Sequence, residues 1–143
     1  MRALVHLSIL ALLAGCGADA SAPAPNTTQG TLTSQTDSNA GSFQLHWDPA
    51  AQAPPLNEEY DLLFALRNTD GTPLDIPVRD LNLDARMPHH GHGMNQDPLI
   101  ERTGAGVYTA RGLRLHMTGH WEVYLDVRQG ALTERAEFTL ELQ

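Results

Sequence analysis

Trp121-Glu122-Val123-Tyr124-Leu125-Asp126-Val127 alternates apolar and polar side chains without a break. Only an extended chain, whose successive side chains point to opposite faces, puts Trp121, Val123, Leu125 and Val127 on one surface. Gln129-Gly130 then supplies a hairpin turn, and Ala136, Phe138, Leu140 and Leu142 alternate with Glu137, Thr139 and Glu141 on the return. Towards the N-terminus the same period recurs in Leu81, Leu83, Ala85 and Met87, where Pro88, lacking an N–H, ends the strand. Gly104-Ala105-Gly106 leads into Val107-Tyr108-Thr109-Ala110, and Tyr60, Leu62, Phe64 and Leu66 run towards the turn residues Asp70-Gly71-Thr72-Pro73. Phe43, Leu45 and Trp47 form the earliest such set. Helical spacing is almost absent; Pro55 to Glu59 could make a single turn. About seven short strands with a turn signal roughly every ten residues predict an all-β, immunoglobulin-like β-sandwich. It is expected to occupy residues 42–143 as one domain with a single core.

The other end of the chain reads as an address. Arg2 supplies a positive n-region, and Leu4 to Leu13 is an apolar run of signal-peptide length, too short to span a bilayer. Leu13-Ala14-Gly15-Cys16 looks like a bacterial lipobox, in which the cysteine is diacylated and becomes the new N-terminus. The expectation is a lipoprotein signal peptide over 1–15, lipidation of Cys16, and a flexible, disordered tether over 16–41. That tether is rich in Ala, Ser, Thr, Pro and Gly, a composition that cannot offset its own ordering entropy. Such a protein would be lipid-anchored to a membrane of the cell envelope and face the periplasm or the exterior. Cys16 is the sole cysteine, so the domain has no disulfide and no thiolate ligand.

The formal net charge is -8, with nine arginines and no lysine. Nucleic acid is therefore not an expected partner, because phosphate binding needs a basic surface. Soft and borderline metal ligands, by contrast, are concentrated. Of the six histidines and three methionines after the signal peptide, all but His46 fall in two windows, Met87 to Met94 and His116 to His120.

Met87-Pro88-His89-His90-Gly91-His92-Gly93-Met94 reads as a loop at a sandwich edge, where His89, His90, His92 and Met94 can converge. His116-Met117-Thr118-Gly119-His120-Trp121 reads as a corner between two strands. If the strands pair as the pattern suggests, both windows reach one end of the sandwich. Thioether sulfur suits Cu(I), whereas imidazole serves Cu(I), Cu(II) and Zn(II) alike. The mixed set Met87, His89, His90, His92, Met94, His116, Met117 and His120 therefore favours copper as Cu(I), with Cu(II) or Zn(II) as alternatives. A zinc site would leave Met94 and Met117 without a role. Packing is the competing explanation for single residues: Met87 shares parity with Ala85, Met117 with Leu115, and Trp121 suits a core aromatic. His46 reads as a surface strand residue, and a Gly- and His-rich loop also binds metals adventitiously.

The arrangement resembles the YtkA-like domains, which are related to FixH-type proteins. The likeness rests on Met87, Pro88, His90, His92, Gly93 and Met94, then Gly106 and Tyr108, then Met117, Gly119 and Trp121. It implies an immunoglobulin-like domain outside the cytoplasmic membrane, with a role in copper handling or respiratory oxidase assembly. The extra histidines His89, His116 and His120 depart from the pattern, as does the lack of the transmembrane helix of FixH proteins.

Two functions are expected to compete. One is an envelope copper-binding module, a metal chaperone or buffer whose partner is a cuproprotein, an oxidase-assembly factor or a copper exporter. The other is a protein-interaction domain whose His/Met loop binds metal only adventitiously. An enzyme is not expected: there is no Ser/His/Asp ordering with turn context, no paired carboxylate signal and no phosphate loop.

Overall fold

The computed structural model describes residues 32–48 and 54–143. The predicted signal peptide, Cys16 and the tether as far as residue 31 lie outside the described residues. Nine strands follow in order: β1 (Ser34–Asp37), β2 (Phe43–Trp47), β3 (Glu59–Asn68), β4 (Leu81–Met87), β5 (His92–Gly93), β6 (Leu99–Gly104), β7 (Val107–Arg114), β8 (Gly119–Gln129) and β9 (Leu132–Leu142). A single 3-10 turn, Val78–Asp80, is the only helical element among the described residues. No helix there is long and apolar enough to cross a membrane.

The strands form two antiparallel sheets, ordered β1-β2-β3-β7-β6 and β5-β4-β8-β9. This is the β-sandwich that the alternation predicts. Each alternating set turns its apolar members inward: Trp121, Val123, Leu125 and Val127 are essentially unexposed, and Leu140, Phe138 and Ala136 pair opposite the first three, with Leu142 opposite Gly119. Phe64 and Tyr108 stack at 5.4 Å across neighbouring strands, and Trp47 stacks on Phe138 at 4.4 Å between the sheets.

Two expectations about boundaries are corrected. Ser34–Asp37, placed in the tether, is an edge strand that pairs with β2 from Ser34 opposite Trp47 to Asp37 opposite Gln44. Its residues are polar, so backbone pairing holds it and no apolar pattern announces it. Ser38, only 5% exposed, then caps the turn: it donates to Glu134 at 2.8 Å and accepts from the Ser42 amide at 3.0 Å. The Met87–Met94 window, expected as pure loop, contains the short strand β5, with Arg86 opposite Gly93 and Met87 opposite His92.

A polar pin fixes the link between β3 and β4. The Ile76 amide donates to the buried Tyr108 hydroxyl at 2.6 Å, and that hydroxyl donates to the Ile76 carbonyl at 3.0 Å. Beside it the Gly106 amide donates to Asp75 at 2.6 Å, and Arg102 closes on the same carboxylate at 2.7 Å. Gly106 must be glycine, since its φ is +62° and a Cβ would lie 2.6 Å from the Leu66 carbonyl oxygen.

A candidate metal centre at one end of the sandwich

The end of β4, the strand β5 and the start of β8 lie at one end of the second sheet, because Met87 continues the register in which Arg86 faces Glu122. Both ligand windows therefore reach the same tip. Met87 and Gly119 mark the meeting point: a Cβ on Gly119 would stand 3.2 Å from the Met87 methyl.

Alternation decides which side chains go where. Met87 and Trp121 point into the sandwich, and His92, opposite Met87, shares their side of the sheet. Its ring centre lies 5.9 Å from that of His116, edge to face at 83°. His116 in turn lies 5.7 Å from Trp121, again edge to face. The Trp121 indole donates to the Met117 carbonyl at 3.0 Å, which ties down the segment carrying both His116 and Met117. Met94, two residues after His92, packs partly against the core, as does Met117.

His89 and His90 ride on one tight turn whose amides from His90 and Gly91 both donate to the Met87 carbonyl, at 3.1 and 3.0 Å. Gly91, at φ +67°, turns the chain back so that the His90 ring comes within 6.4 Å of His92. His89 is exposed on the same turn.

Two sequence expectations change. His120 does not join the others: with Trp121 turned inward, its neighbour faces outward, and its Nδ1 lies 2.5 Å from a carboxylate oxygen of Glu141. Met87 is only 1% exposed and is a core residue at the base of the tip. The sequence in turn did not single out Asp84, Arg86 and Tyr124, which line a groove beside His92 and Met94. An open groove of about 530 Å³ is lined by Asp84, Arg86, Pro88, His92, Met94 and Tyr124. Arg86 pairs with Asp84 at 2.8 Å, and the hydrogen bond from Tyr124 to Glu122 pushes the phenol up to about 12. In sequence these were merely the outward members of alternating strands.

Among the described residues, no three His, Cys, Asp or Glu side chains form one group able to hold an ion. One pair does fit. Two imidazoles on one ion, with metal–nitrogen bonds of about 2 Å, place their ring centres roughly 5–6 Å apart. The His92–His116 separation falls in that range, whereas the His90 and His92 rings, stacked at 6.4 Å, lie beyond it. The Nδ1 atom of His116 is buried without a hydrogen-bond partner, an arrangement that costs free energy unless something occupies the nitrogen. Three further buried groups lack a partner: His46 Nε2, the Trp47 indole N–H and the Tyr60 hydroxyl. Burial raises the Tyr60 phenol well above its ordinary value, and burial together with Arg67 lowers the His46 imidazole.

No family profile matches this sequence, and no curated protein matches it. Solved structures are similar in fold. The Lin-41 filamin domain has a TM-score of 0.50 at 12% identity, over 76% of this chain and 98% of that one. A DUF4426 family protein from Pseudomonas aeruginosa PAO1 has a TM-score of 0.49 at 10% identity, over 71% of this chain and 91% of that one. At such identity the likeness to the filamin domain is one of sandwich architecture alone.

Proposed function

We propose that the chain is a copper-binding module of the cell envelope, a chaperone or buffer that carries Cu(I) at the tip and is held to a membrane through a lipidated Cys16. The observation that carries this reading is the approach of His92 to His116 at 5.9 Å, with a buried, unpartnered nitrogen on His116 and two half-buried thioethers on the neighbouring residues. Imidazole would hold the ion, and thioether from Met94 or Met117 would favour the soft Cu(I) state over Cu(II) or Zn(II). Tight turns and a two-residue edge strand keep the ligands near the surface, as exchange with a cuproprotein, an oxidase-assembly factor or an exporter requires. The resemblance to YtkA-like domains points the same way.

Competition for Cu(I) against a calibrated chelator tests the reading. The expected result is binding far tighter than that of a short His-containing peptide, weakened in His92→Ala and His116→Ala. Peptide-like affinity would overturn it and favour a protein-interaction domain.

A further inference from the structure

The pair formed by His92 and His116 is short of protein ligands and of negative charge. Among the described residues no third His, Cys, Asp or Glu joins the two imidazoles in one group, and His90, stacked 6.4 Å from His92, is out of reach of the same ion. The carboxylates around the tip are engaged elsewhere. Asp84, which lines the groove with His92 and Met94, pairs with Arg86 at 2.8 Å. On the outer face of the sheet Glu141 holds His120 at 2.5 Å, and Glu122 accepts the Tyr124 hydroxyl. The donors left on neighbouring residues are the thioethers of Met94 and Met117, both partly buried against the core. Neutral imidazole and thioether carry no charge, so an ion held by them keeps the whole of its own.

Spacing adds a second constraint. With metal–nitrogen bonds of about 2 Å each ring centre lies a little over 3 Å from the ion, so centres 5.9 Å apart correspond to an N–metal–N angle of roughly 140°. A tetrahedral ion would draw them to about 5.1 Å. Zinc takes four ligands in that tetrahedral arrangement, and here it would meet two imidazoles at too wide an angle and no carboxylate. The cost of seating an ion at a buried nitrogen such as His116 Nδ1 also rises with the square of its charge, which falls hardest on a divalent ion that nothing compensates. A wide angle closed by a single sulfur suits a soft, closed-shell ion of charge +1. We infer that the tip selects by charge and coordination number: it takes soft monovalent ions, Ag(I) as well as Cu(I), between two imidazoles and one thioether, and excludes Zn(II). This rests on the copper reading above and adds a second cargo to it. Only metal–ligand bonds form and break; no electron moves, and the neutral imidazoles release no proton.

The test compares ions on one protein. Full-length protein loaded with Cu(I) without oxygen is titrated with Ag(I) and, separately, with Zn(II), each free ion buffered by a calibrated chelator. Ag(I) should displace Cu(I) one for one, with a Kd within about tenfold of that for Cu(I). Zn(II) should bind at least about a hundredfold more weakly, because disturbing even a group that only orients a ligand costs about 10–100-fold in metal affinity. X-ray absorption of the Cu(I) form should show two nitrogens and one sulfur at the metal. His92→Ala and His116→Ala should lose Ag(I) and Cu(I) affinity in parallel. Zn(II) binding within about tenfold of Cu(I), four ligands at copper, or failure of Ag(I) to displace Cu(I) would overturn the inference while leaving the copper reading intact. Peptide-like Cu(I) affinity of the unaltered protein would overturn both.

Discussion

The Met87 methyl group stands against Gly119, so that a Cβ at residue 119 would lie 3.2 Å from it. This contact joins the end of β4 to the start of β8 and thereby sets the distance between the two ligand windows. Gly119 also has φ +119°, which L side chains rarely adopt. Gly119→Ala should destabilise the domain by about 1–3 kcal/mol from backbone strain alone. It should also weaken Cu(I) binding, because the corner carrying His116 and Met117 must shift. Thermal unfolding and chelator competition on one preparation check both effects.

Thioether ligation predicts a difference between oxidation states. The double substitution of Met94 and Met117 by Leu keeps apolar volume and removes both sulfurs, so Cu(I) affinity should fall about tenfold or more while Cu(II) affinity changes less. Equal losses for the two ions would count against sulfur as a ligand.

Protons compete with copper for imidazole. Affinity should therefore decline on acidification, and the decline should be shallower for Cu(I), since the proposed thioether ligands do not titrate, than for Cu(II). Titrations at a series of pH values read this directly.

Tyr108→Phe tests the polar pin. It leaves the aromatic stack on Phe64 but strips the Ile76 amide of its 2.6 Å acceptor in a buried site. The cost should be about 1–3 kcal/mol. For a domain of this size each kcal/mol lowers Tm by roughly 4–8 °C.

Asp75 contributes an acid-sensitive part of the same structure. Its carboxyl is held below the ordinary value, first by the Gly106 amide and then by Arg102. A depressed folded-state pKa stabilises the fold above the unfolded value of about 3.9 and loses that contribution as pH falls through the folded value. Asp75→Asn should thus lower stability near neutrality and flatten its decline at acid pH, measured by denaturant unfolding across pH.

Much of this was legible in the chain itself. Strict alternation in 81–87, 121–127 and 136–142 announced inward and outward faces, because a side chain on a strand has only two directions to point. The concentration of histidine and methionine in two windows likewise marked the tip without any coordinates. Strands of two to four residues without apolar alternation leave no such trace, which is why the sequence alone assigns Ser34–Asp37 to a tether and His92–Gly93 to a loop.

Which ligands meet was a question for tertiary structure. His116 and His120 are equally good ligands on paper and lie four residues apart, yet Trp121 turns inward and thereby sends His120 to the outer face and Glu141. His90 and His92 were both candidates from composition, but only the left-handed Gly91 and the pairing of His92 with Met87 set their spacing to each other and to His116. Sequence carries the identity of side chains and the period of their faces; distances between segments far apart in the chain arise only when the sheets close on their shared core.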